Sequence, residues 1–209
     1  VLGARAQNYY VFRNANGYYI YNNNGTVGAT QTFSPACVWK ASGTMGGNTG
    51  LSLQSYVNIS QYLYGTTSSI SIGTSQSRWR KGGDYLRYYQ NSQNRVYVNY
   101  GSSGWYFQSA ASTVEGFKVL SVTINERAGS GTTTYSTPTI TLSPTSVTVA
   151  YPESVTFEAN ASASITKRTT GQPAYTTFTF DGETYYYEGT SGNFGEALSG
   201  VPEANTTTN

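Results

Sequence analysis

The chain has no histidine, one cysteine and one methionine, and only 11% of its 209 residues are charged. Without histidine, neither a Ser-His-Asp nor a Cys-His nucleophile system can be assembled. A transition-metal site is not expected either, and no cofactor is implied. The lone Cys37 has no partner for an internal disulfide. Its neighbours Ala36 and Val38 place it on an expected strand, as a small buried hydrophobe rather than a nucleophile. No apolar run approaches the roughly 20 residues that a helical membrane span needs. No glycine-rich phosphate loop stands between a strand and a helix. The few carboxylates form no linked pair of the kind glycosidases use, so no enzymatic activity is expected.

What is abundant points to a different class. There are 20 tyrosines and 23 glycines, with Ser, Thr and Asn filling much of the remainder. Aromatic and β-branched residues favour strands, while Gly and Asn favour turns, so the expectation is an all-β extracellular protein. The opening Ala4-Arg5-Ala6 before Gln7 has the A-x-A form of a signal-peptide cleavage site, and residues 1–6 are read as its remnant. Together with the lack of disulfides, this implies a secreted, periplasmic or cell-surface location in a bacterium.

Charge divides the chain. Ten of the twelve Lys and Arg lie within residues 1–127, opposed there only by Asp84, Glu115 and Glu126; the other seven acidic residues lie beyond. Between the two parts, residues 128–138 have the small polar composition of a linker ending at Pro138. The expected organisation is therefore a basic domain over 7–127 and an acidic domain over 139–209.

The basic part contains a repeat. Residues 37–43 (CVWKASG), 77–83 (SRWRKGG) and 115–121 (EGFKVLS) each set an aromatic residue directly before a cation, and Trp39, Trp79 and Phe117 are 40 and 38 residues apart. Each copy also holds three shorter strand-like runs: YYVFR, YYIY and TQTF; LSLQS, QYLY and SISIG; DYLRYY, RVYVN and WYFQS. Three copies of four strands make twelve, and a period near 40 residues marks a repeat architecture. Over residues 8–125 this pattern resembles a β-trefoil of the ricin-type lectin kind. The resemblance implies carbohydrate binding, but the motif of those lectins is not reproduced: Gln76-Ser77-Arg78-Trp79 has one residue too many for Gln-x-Trp, and Asp84 is the domain's only Asp. Strand alternation turns Trp79 inward only if Arg78 and Arg80 turn outward. The candidate ligand residues are therefore Arg78, Arg80, Lys81, Arg87 and Arg95, whose charge favours an acidic polysaccharide. Nucleic acid is set aside because the cations are scattered and the protein is read as secreted.

The acidic part carries an alternating run from Ile140 to Phe157 that resembles bacterial immunoglobulin-like modules, and residues 178–189 read as a hairpin turning at Asp181-Gly182. With fewer strands than a full sandwich, it is read as an immunoglobulin-like β-sandwich module that is either atypical or incomplete, and little strand pattern is expected past Gly189. The overall expectation is a non-catalytic binding or adhesion protein. A targeting appendage of a larger glycan-degrading enzyme and a structural spacer are the alternatives.

Overall fold

The computed structural model describes residues 8–46, 49–130, 132–135, 139–143, 158–162, 167–191, 193–202 and 207–208. The signal-peptide reading of residues 1–6 and most of the alternating run over 144–157 lie outside them. The fold is all-β with antiparallel sheets. Among the described residues no helix is long and apolar enough to cross a membrane.

Twelve strands form one hydrogen-bonded network. The first four are β1 (Tyr9–Arg13), β2 (Tyr19–Asn23), β3 (Thr26–Thr30) and β4 (Trp39–Ala41). The next four are β5 (Leu53–Ser55), β6 (Tyr62–Gly65), β7 (Ile70–Gly73) and β8 (Trp79–Gly82). The last four are β9 (Tyr85–Tyr89), β10 (Arg95–Gly101), β11 (Gly104–Gln108) and β12 (Lys118–Ser121). Their pairing closes on itself. β1 pairs with β4, β4 with β5, β8 with β9, β9 with β12 and β12 with β1. An isolated bridge from Leu51 to Trp79 links the start of the second group to β8. Three hairpins, β2–β3, β6–β7 and β10–β11, hang from β1, β5 and β9.

Eleven of the twelve strand-like runs fall on these strands as expected. The exception is TQTF. Asn24 and Gly25 both take positive φ (48° and 92°) and form a two-residue turn, so the return strand runs over Thr26–Thr30 and Phe33 is freed for a different core. Asn-Gly is the strongest such turn signal, and it lies one step ahead of the run that sequence periodicity picked out.

Trp39, Trp79 and Phe117 are fully buried in one cluster that also holds Phe12, Ile20, Leu53, Leu63, Leu86 and Val98. The indole N–H of Trp39 donates to the Ile20 carbonyl at 3.1 Å, and that of Trp79 donates to the Leu63 carbonyl at 2.8 Å. The two tryptophans thus meet equivalent positions, on β2 and β6. Phe117, with no N–H to satisfy, stacks on Trp105 at 5.6 Å between centroids.

By contact the chain divides into two units, Val1–Ala128 with Ala174–Val201, and Gly129–Pro173 with Pro202–Asn209. The first unit is larger than the sequence boundaries place it. After β12 comes β13 (Thr123–Arg127). The second unit then supplies β14 (Thr132–Tyr135), β15 (Thr139–Ser143), β16 (Glu158–Ser162) and β17 (Lys167–Thr170). The chain returns to the first unit as β18 (Tyr175–Phe180), β19 (Glu183–Thr190) and β20 (Asn193–Leu198), and β21 (Thr207–Thr208) belongs again to the second. In the second unit β17 pairs with β14 and β21, and β15 pairs with β16.

In the first unit, β13, β18, β19 and β20 form one sheet in that order. The hairpin expected at Asp181-Gly182 is present, with φ of 51° and 79°. Past Gly189, where little strand was expected, β20 pairs with β19 across a register shift. This sheet stays with the first unit because its apolar face is buried there. Phe178, Phe180 and Tyr187 pack with Val11, Tyr19, Phe33, Cys37 and Val38 in a second core. Tyr187 donates its hydroxyl to the Phe33 carbonyl at 2.6 Å.

Cys37 lies fully buried in this second core, and burial pushes its thiol pKa from 9.0 up to about 11. The native protein should therefore resist a thiol reagent at pH 8 and react only on unfolding, as a colorimetric titration with and without urea would read. Because the folded state holds the thiol protonated, the contribution is complete below pH 9 and is lost as pH rises toward 11.

Candidate functional site

Strands β8, β9 and β10 lie side by side, and their register decides which cations meet. Arg80 stands opposite Arg87, and Arg87 stands opposite Tyr97. One step along, the Tyr89 N–H donates to the Arg78 carbonyl at 2.8 Å and Tyr89 stands opposite Arg95. Residues two apart on a strand share a face. Arg78, Arg80, Arg87, Tyr89, Arg95 and Tyr97 therefore occupy one face, while Trp79, Leu86 and Val98 are buried in the core behind it. Lys81 is not brought there: it alternates to the other side and pairs with Asp84 at 3.2 Å.

Two of the arginines, Arg80 and Arg87, are held against tyrosine rings. The Arg80 guanidinium carbon lies 3.4 Å from the centre of the Tyr89 ring, and that of Arg87 lies 5.7 Å from the Tyr89 ring and 5.9 Å from the Tyr97 ring. These are cation–π distances. Gly82, at the end of β8, leaves room for them: a Cβ there would fall 2.5 Å from the Tyr97 hydroxyl and 2.9 Å from Arg87 Cδ. A cleft of about 400 Å³ opens beside the row, with Tyr64, Ser77, Arg78, Tyr88 and Tyr89 among its walls.

Electrostatically the row is incomplete. Like charges placed directly opposite on neighbouring strands repel, and Arg80 and Arg87 are such a pair. The Nε of each is buried without a hydrogen-bond partner. Among the described residues no carboxylate comes within ion-pairing distance of Arg78, Arg80, Arg87 or Arg95. An oxyanion seated between Arg80 and Arg87 would relieve the repulsion and receive forked N–H donors, the geometry in which guanidinium binds carboxylate or sulfate.

Of the five residues singled out in the sequence, four share this face and Lys81 does not. The tyrosines that stack on them were missed. Their signal was period-two spacing, 85-87-89 on one strand and 95-97 on the next, which becomes meaningful only once the two strands are known to be neighbours in that register.

No protein-family model matches the chain, and no curated protein matches it.

Proposed function

We propose that this chain is a non-catalytic, secreted or cell-surface binding protein of β-trefoil type, whose β8–β9–β10 face holds an anionic glycan. The trefoil reading is supported by a ring of six strands bearing three hairpins, with three core aromatics at corresponding places. The immunoglobulin-like reading is kept only for strands of the second unit, since β18, β19 and β20 pair elsewhere.

The observation that carries the function is the opposed Arg80–Arg87 pair with both Nε atoms buried and unpartnered. The Nε atoms are closed off from solvent, so an anion would meet the terminal guanidinium nitrogens, and two opposed like charges with no carboxylate beside them among the described residues favour such a ligand. A glycan fits the surroundings, because sugar rings pack on tyrosine faces and sugar hydroxyls bond with serine and tyrosine hydroxyls.

Retention should be measured on immobilised sulfated, uronate and neutral polysaccharides at two ionic strengths. The wild type is expected to bind an acidic polysaccharide and to weaken as salt rises, since the exposed part of such an attraction is screened within about 8 Å at physiological salt. Arg80→Ala/Arg87→Ala should weaken binding by about tenfold or more, the worth of a hydrogen bond to a charged group. Equal retention of both proteins, or preference for duplex DNA of matched charge over every glycan, would overturn the reading.

A further inference from the structure

The row on β8–β9–β10 is one of three. Each begins with the residue after a core aromatic: Arg80 follows Trp79, Lys118 follows Phe117 and Lys40 follows Trp39. Arg80 faces Arg87 and then Tyr97. Lys118 faces Arg13 and then Tyr19. Lys40 faces Gln54 and then Tyr62. The same order, cation then middle residue then tyrosine, recurs on three pairs of neighbouring repeats. Only the middle residue differs in kind.

That difference gives an internal comparison. Where the middle residue is Gln54, the row satisfies itself: the side-chain amide donates to the Ile59 carbonyl and to the Tyr62 hydroxyl at 3.3 Å. Where it is Arg13, beside Lys118, a carboxylate is already seated. The side chain of Asp181, at the tip of the β18–β19 hairpin, accepts from the Arg13 guanidinium, whose other nitrogen lies 3.4 Å from the Tyr19 hydroxyl. Where it is Arg87, beside Arg80, no carboxylate of the described residues arrives and the Nε atoms stay unpartnered. The Arg13 guanidinium thus holds a carboxylate in one row, with Lys118 and Tyr19 as its cross-strand neighbours, and the Arg80–Arg87 pair has none among the described residues in the other.

We infer that the Arg80–Arg87–Tyr97 row takes the carboxylate of a uronic-acid sugar, and that the Lys118–Arg13–Tyr19 row is a second copy of the same site held closed by Asp181. The inference rests on the glycan-binding reading above and narrows its ligand to a carboxylate. The occupied row has space for more than the aspartate. A cleft of about 420 Å³ lies against Arg13, Tyr19, Gln31, Lys118 and Asp181, and the Asp181 side chain is 47% exposed, so it holds its place by one exposed ion pair. Such pairs are weak.

The test is calorimetric titration of the full chain with tetragalacturonate, its methyl ester and a sulfated tetrasaccharide. The wild type is expected to bind the acid at one site and the ester at least about tenfold more weakly, the ester having lost the charge that the guanidinium fork meets. Asp181→Asn should bind two equivalents, and Asp181→Asn/Arg87→Ala should fall back to one. Gln54→Arg, which leaves the Asp181 contact intact, should independently raise the wild-type number to two and keeps the test open should Asp181→Asn fail to fold. A site number that stays at one in every folded variant overturns the inference and leaves the glycan reading standing. So does binding of the sulfated sugar with none of the uronate. Failure of all three sugars to bind the wild type and the variants overturns both.

Discussion

A chain ending at Ala128 is expected to lose cooperative folding, whereas a chain in which residues 129–173 are replaced by a short turn should keep it. The sequence boundary invites the first truncation, because the twelve strands of the large sheet end at Ser121. The second core forbids it. Cutting at Ala128 removes Phe178, Phe180 and Tyr187 and uncovers Val11, Tyr19, Phe33 and Val38, all buried in the intact chain. Truncating one large buried aromatic costs about 3–5 kcal/mol. Loss of three exceeds much of the 5–15 kcal/mol by which domains of this size are stable. The internal replacement has no such penalty, since Arg127 and Tyr175 face each other at the end of the β13–β18 ladder and a hairpin turn can join them. Thermal unfolding followed by near-ultraviolet circular dichroism separates the two chains. A sharp transition for the shorter one would mean that the second core is dispensable.

How much of this could be read from residues follows from how local each feature is. Strand identity is local: alternation, aromatic content and turn residues mark eleven of the twelve runs and the Asp181-Gly182 hairpin. The inward turn of Trp79 is also local, since a strand has only two faces. The fate of residues 174–201 is not. β13 and β18 pair at a separation of about fifty residues, Thr123 with Thr179 and Arg127 with Tyr175, and neither strand carries a feature that names the other. One hint was present. In β1 the run Tyr10-Val11-Phe12 is apolar without alternation, as befits a strand buried on both faces, and Val11 indeed faces the second core while Tyr10 and Phe12 face the first. The arginine rows were half legible for the same reason. Sequence gives each strand's outward residues, but only register sets Arg80 against Arg87 and leaves Lys81 with Asp84.

Truncation of Trp79 to alanine should destabilise the first unit by about 3–5 kcal/mol, and its interaction with Gly65 should show why that ring sits where it does. Trp79 is fully buried, its indole N–H is satisfied by the Leu63 carbonyl, and Tyr88 meets it edge-on at 6.0 Å. Gly65, at the end of β6, lies under the ring: a Cβ there would fall 2.6 Å from both Cζ2 and Cη2 of Trp79, closer than any relaxed contact. Gly65→Ala alone must therefore push the indole off its place, and overpacking of this kind costs about 1–3 kcal/mol. In the Trp79→Ala background the same methyl would enter the cavity left by the ring, so its cost should largely vanish or change sign. Urea unfolding of the four proteins closes this double-mutant cycle, and an interaction energy of about 1 kcal/mol or more is expected for residues in direct contact. Additive effects would mean that Gly65 is tolerated for its backbone alone. A cost for Trp79→Ala below about 1 kcal/mol would mean that the ring is not one of three pillars shared by the repeats, and the correspondence from which the arginine rows were aligned would fall with it.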